Sequence, residues 1–170
     1  MSKFFNSPTV GIDVSADFSF VAILAPNGDV FKKPFRIKHD VSGFNHLLKE
    51  IKKVEEEFNM KTAIFMESTG VYHLSLFHFL NKNFDNTFVI NPLVTKCNKN
   101  VDIRKVKNDK KDALSIAQIG KFQNIKLSQS VSMDIFQLKS LVREYYKLTD
   151  NCSTYKKKLS TDLRVIFPGY

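Results

Sequence analysis

The sequence predicts an α/β fold, a mixed β-sheet with flanking helices, followed by one long helix. Three observations carry that expectation. Three short runs rich in β-branched and apolar residues crowd the amino terminus, with the turn Pro26-Asn27-Gly28-Asp29 between the second and third. Strand-like and helix-like patterns then alternate from Val41 to Phe122, the order that lays helices on the faces of a sheet. Beyond Ser132 the apolar residues recur at intervals of three and four, the spacing of a long amphipathic helix. With 43% hydrophobic and 25% charged residues in a chain of 170, a core can be buried, so disordered, collagen-like and low-complexity architectures fit poorly.

Each element has its own justification. Thr9 to Val14, Phe18 to Leu24 and Val30 to Ile37 are linked so tightly that an antiparallel meander is expected. From Val41 to Phe58 the residues Phe44, Leu47, Leu48, Ile51, Val54 and Phe58 mark one helical stripe, while Lys49, Glu50, Lys52, Lys53 and Glu55 to Glu57 fill the solvated faces. Thr62 to Met66 is almost continuously apolar, as a strand covered on both faces requires, and it ends at Glu67 before Ser68-Thr69-Gly70. A helix from about Val71 to Lys82 and a strand from Asn86 to Ile90 follow, the strand stopped by Asn91-Pro92. A basic loop then leads to a helix from about Lys110 to Phe122, which completes the order β-β-β-α-β-α-β-α.

The last helix is expected from Ser132 to Ile166, ending before Pro168-Gly169. Leu138, Leu141, Tyr145, Leu148, Cys152, Tyr155 and Leu159 form a heptad seam, and the strict repeat fails at Asp162. Such a seam either packs on its own domain or pairs two chains as a coiled coil. About three heptads exceed what a small domain needs, so a homodimer or higher homo-oligomer is expected. The organisation is accordingly residues 1–128 as one domain and residues 129–170 as a dimerisation segment.

The formal net charge of +9 is unevenly placed. Residues 1–90 hold ten basic and ten acidic side chains, and residues 91–170 hold sixteen against seven. So one-sided a segment attracts polyanions and can track a phosphate backbone by counterion release. Cys97 and Cys152 lie 55 positions apart and form no metal or redox motif, which points to a reducing cytoplasm. His39, His46, His73 and His78 show no ligand spacing and read as packing or surface residues. No apolar run approaches the roughly 20 residues of a membrane span, so no membrane partner is expected.

Carboxylates stand at three informative places. Asp13 interrupts the apolar first strand, Glu67 terminates the fourth, and Asp109 and Asp112 are three apart at a helix start and share one face. Each has a plainer alternative: Asp109 or Glu67 as a helix cap, Asp112 as a complement to the helix dipole. In a sheet made of a meander followed by parallel strands, the first and fourth strands adjoin, so Asp13 and Glu67 become neighbours and the helix can bring Asp109 and Asp112 to them. Four such groups stay ionised together only with cations. Oxygen ligation without His or Cys selects magnesium, or manganese as a substitute, and a pair of such ions can clamp a phosphodiester. Arg104, Lys105, Lys107, Lys110 and Lys111 flank the Asp109–Asp112 pair, where a nucleic-acid backbone would find them.

Gly11-Ile12-Asp13-Val14-Ser15, Glu67-Ser68-Thr69-Gly70-Val71-Tyr72 and Lys107-Asn108-Asp109-Lys110-Lys111-Asp112-Ala113 together resemble the amino-terminal domain of DEDD insertion-sequence transposases. These are bridge-RNA-guided recombinases related to Piv-type invertases, and the resemblance spans residues 8–168. It implies a ribonuclease H-like fold of the RuvC type, with Asp13, Glu67, Asp109 and Asp112 holding magnesium and orienting strand cleavage. It also implies DNA and a structured guide RNA as partners of the basic segment, in a prokaryotic cytoplasm and near the nucleoid when active. Asn108 departs from the family's usual Thr. Family members continue into a carboxy-terminal transposase domain with a nucleophilic serine; that domain is expected to be absent, and no serine is assigned the role. The competing readings are a free-standing junction-resolvase-like nuclease and a non-catalytic nucleic-acid-binding assembly module.

Overall fold

The amino-terminal runs pair as the expected meander: β1 (Thr9–Val14) lies antiparallel to β2 (Phe18–Leu24), and β2 to β3 (Val30–Lys38). The computed structural model describes residues 2–68, 71–99, 108–125 and 133–169. Two further strands, β4 (Ala63–Glu67) and β5 (Thr87–Ile90), add in parallel on the other side of β1, so the order across the sheet is β3-β2-β1-β4-β5. This is the mixed sheet that the sequence predicts, with β1 and β4 adjacent. The parallel half depends on crossover helices, because a tight turn joins only antiparallel neighbours. α1 (Val41–Phe58) precedes β4, and α2 (His73–Asn83) links β4 to β5. Pro34 sits in β3, an edge strand, where a missing backbone N–H is tolerated.

Side chains alternate across the sheet and sort into two apolar clusters. On one face Val10, Ile12, Val14, Ile64 and Met66 meet Leu47, Ile51 and Val54 of α1 and Leu76 and Leu80 of α2. On the other face Ala63, Phe65, Phe88 and Ile90 meet Phe4 and two residues of α4 (Asp109–Phe122), Ile116 and Ile119. The even-numbered residues of β1 therefore belong to the α1–α2 face, and Gly11 and Asp13 to the α4 face.

α1 has the bounds its periodicity predicts. It begins at Asp40, whose side chain accepts a hydrogen bond from the Gly43 N–H, and ends at Asn59 in the left-handed conformation (φ 48°). Glu50 departs from the expected solvated face: it is buried, and Lys32 and Lys53 both donate to its carboxylate. The Lys32 hydrogen bond holds its carboxyl below the ordinary carboxylate value. A polar residue at the margin of a helical stripe is thus covered because a lysine on β3 neutralises it.

A second correction concerns the expected basic loop after β5. Its first part is a helix, α3 (Pro92–Lys99). Asn91 Oδ1 accepts from the Leu93 N–H at 2.9 Å, and Pro92 takes the first helical position, where its missing N–H is harmless. The Asn-Pro pair that stops β5 also starts α3. α2 begins two residues later than predicted, at His73, and Tyr72 before it gives no side-chain cap.

The chain divides into two compact units, Met1–Ser130 and Val131–Tyr170. The second is built on α5 (Met133–Ile166), a single helix of 34 residues. Along it Leu138, Leu141, Tyr145, Leu148, Tyr155 and Leu159 are 60–69% exposed, and Cys152 is an exposed free thiol. Among the described residues no helix is long and apolar enough to cross a membrane.

Candidate metal centre

Asp13 lies near the carboxyl end of β1, on the face that α4 covers. The depth of that cover depends on Gly11, two residues earlier. A Cβ at Gly11 would stand 2.2 Å from the Ala113 carbonyl oxygen and 2.3 Å from the Ala117 nitrogen, both backbone atoms of α4. The helix therefore rests directly on the strand where a side chain is missing. At the far end of α4 the roles reverse: a Cβ at Gly120 would meet the Phe65 ring of β4 at 2.3 Å. Two glycines, one per element, clamp α4 to the sheet.

The first turn of α4 is fixed by Asn108. Its backbone is extended (φ −145°, ψ 111°), and its side chain accepts from the Lys110 N–H at 3.1 Å. Asn108, not Asp109, is the cap, so the carboxylate of Asp109 is not used in capping. Thr and Asn are both competent caps, so the departure at this position preserves the local geometry. Asp109 and Asp112 occupy the first turn, where the helix dipole favours negative charge.

One oxygen from each of Asp13, Asp109 and Asp112 lies within 4.8 Å of the other two, and all three residues are half-buried. Ligands bound to one small divalent ion at about 2.1 Å lie no more than about 4.2 Å apart, so the carboxylates stand near the spacing of a single coordination sphere. The donor set consists of hard oxygens alone. Such a group can hold a hard divalent cation.

Glu67, expected as the fourth member, is not in that set. The last β1–β4 pair is Ile12 with Met66, so Glu67 follows the register to the position beside Asp13, and it is half-buried. Its carboxylate instead accepts a hydrogen bond at 2.9 Å from the hydroxyl of Thr95 on α3. The alternative role for Glu67, capping α2, is not what it does either. Lys110 and Lys111 are both exposed beside the aspartates, at the start of α4. Arg104, Lys105 and Lys107 lie outside the described residues.

Nothing in the sequence marks Thr95, because its partner is 28 positions away and the segment carrying it has the composition of a basic loop. The Asn108 cap was legible: Asn before Asp-Lys-Lys-Asp and an apolar repeat is a helix-start signal.

Residues 10–168 match the model of a family described as transposase. Among solved structures the chain is similar to RuvC of Thermus thermophilus in complex with a Holliday junction substrate, at 12% identity and a TM-score of 0.46, covering 71% of this chain and 99% of that one. A second Thermus thermophilus RuvC structure gives 13% identity and a TM-score of 0.45 over the same shares. A Ppx/GppA family member from Aquifex aeolicus gives 12% identity and a TM-score of 0.32, covering 52% of this chain and 36% of that one. No curated protein matches.

Proposed function

The chain belongs to the DEDD transposase family of the IS110 type, and from that premise we propose that residues 1–128 are a metal-dependent domain for cleaving and rejoining DNA strands. The observation that carries this reading is the close approach of Asp13, Asp109 and Asp112, where α4 rests directly on β1 at Gly11. Glu67, one strand away from Asp13, is the fourth carboxylate of the centre. Magnesium, with manganese as its substitute, suits an all-carboxylate donor set. When bound, the metal would neutralise charge on the phosphodiester and favour attack at phosphorus.

The residues of the chain supply the rest. Asp13 is held rigidly by strand pairing on both sides of β1, and Asp109 and Asp112 by a capped helix turn, so the carboxylates need little rearrangement to act together. Lys110 and Lys111 bind backbone phosphates beside them and set the register of the nucleic acid. Residues 129–170 pair two copies through the seam of α5, which presents its apolar side to solvent. Family membership and the basic composition of residues 91–170 support DNA and a structured guide RNA as partners. The setting would be the cytoplasm of a prokaryotic cell, near the nucleoid when active.

The test is a titration of manganese(II) into the 170-residue chain, followed by the electron paramagnetic resonance of the free ion. Saturable binding is expected. Asp13→Asn and Asp112→Asn should each weaken it more than about 10-fold, since loss of a direct ligand exceeds the usual effect of losing an outer-shell partner. Equal binding by wild type and both variants would remove the basis for a metal centre here.

A further inference from the structure

We propose that Thr95 is the positioning residue for Glu67, determining which oxygen of that carboxylate is offered to the metal centre. The inference rests on the metal-centre reading above and adds a residue to it. Thr95 is 1% exposed, so its hydroxyl must find its acceptor within the protein. Two acceptors are in reach: Oε2 of Glu67 at 2.9 Å and the carbonyl oxygen of Pro92, also at 2.9 Å. One hydroxyl proton serves one of them at a time. An ionised carboxylate is the stronger acceptor, so the bond to Glu67 dominates while Glu67 is charged.

The bond engages Oε2 of Glu67 and leaves Oε1 as the oxygen offered to a cation. With Oε2 kept on Thr95, Glu67 stands beside the close group of three aspartates, on the strand next to Asp13, and presents Oε1 to an ion held there.

The experiment uses manganese(II) as the probe, with the full chain and the variants Thr95→Val, Thr95→Ala, Thr95→Ser, Glu67→Gln and Thr95→Val/Glu67→Gln. Thr95→Val and Thr95→Ala should weaken manganese binding about 10- to 100-fold, as loss of a hydrogen bond to a ligating carboxylate typically does. Thr95→Ser should restore near-wild-type affinity, and Thr95→Val should add nothing once Glu67 is Gln. Circular dichroism of each variant identifies any that fails to fold, and the Ala variant substitutes if Val does not fit. Wild-type affinity in Thr95→Val or Thr95→Ala, or additive losses in the double variant, would overturn the assignment of Thr95. Unchanged binding in Asp13→Asn would instead strike at the metal centre itself, so the two failures are distinguishable.

Discussion

At the residue scale, the decisive position is one that carries no side chain. Gly11 is needed because backbone atoms of α4 occupy the place of its Cβ, and backbone cannot rotate away as a side-chain tip can. Ordinary contact begins at about 3.4 Å, so Gly11→Ala must separate β1 and α4 by roughly an ångström. Asp112 is the neighbour of Ala113, whose carbonyl would be struck, and it would move with the helix. Gly11→Ala is therefore expected to lose about 1–3 kcal/mol of stability in urea unfolding and to weaken manganese binding in the same preparation. Gly28→Ala is the control: its backbone is left-handed (φ 95°) and the Phe122 ring lies 2.9 Å from the added Cβ, so it should destabilise through strain while sparing metal affinity. A Gly11→Ala protein with unchanged midpoint and unchanged affinity would show that α4 is not clamped through this glycine.

Among the elements, α3 and α5 carry the consequences. α3 is short, yet it supplies Val94 to the core beside α4 and Thr95 to Glu67, which explains why the chain turns helical immediately after β5. α5 presents the opposite situation. It is a helix about 50 Å long whose apolar seam is open to water. Asp162 interrupts the seam at one position, but Ile166 lies seven residues after Leu159, so the repeat resumes in phase there, with the exposed Leu163 beside the interruption. Sedimentation equilibrium of the wild-type chain is expected to give a dimer or a larger homo-oligomer at micromolar concentration. Leu141→Asp combined with Leu148→Asp should give a monomer whose first unit, with its own core, unfolds at an unchanged midpoint. A wild-type chain that stays monomeric while α5 remains fully helical would rule out pairing through this seam.

For the whole molecule the governing feature is the separation of charge. The neutral first half builds the sheet and provides Asp13 and Glu67; the basic second half provides Asp109 and Asp112 together with the cationic excess. Binding to duplex DNA should therefore fall steeply with salt. Lys110→Gln combined with Lys111→Gln should flatten the log–log slope by about 1.8, the contribution of two phosphate contacts, and weaken binding similarly for all sequences. An unchanged slope in fluorescence-anisotropy titrations would place the phosphates elsewhere. Much of this organisation is legible in the sequence. The bounds of α1, the meander and the adjacency of β1 and β4 follow from periodicity, turn residues and connection lengths, which are properties of consecutive residues. The four acids were visible as charged residues at apolar strand ends and a helix start. The sequence by itself thus determined the strands and every helix but α3, and that Asp13 and Glu67 stand on neighbouring strands while Asp109 and Asp112 share one helix face. Only the tertiary structure decided that three aspartates close together while Glu67 turns to Thr95, that Glu50 is buried between two lysines, and that α4 touches β1 through Gly11. Those outcomes depend on which distant group fills the space beside a side chain, and local periodicity carries no information about that.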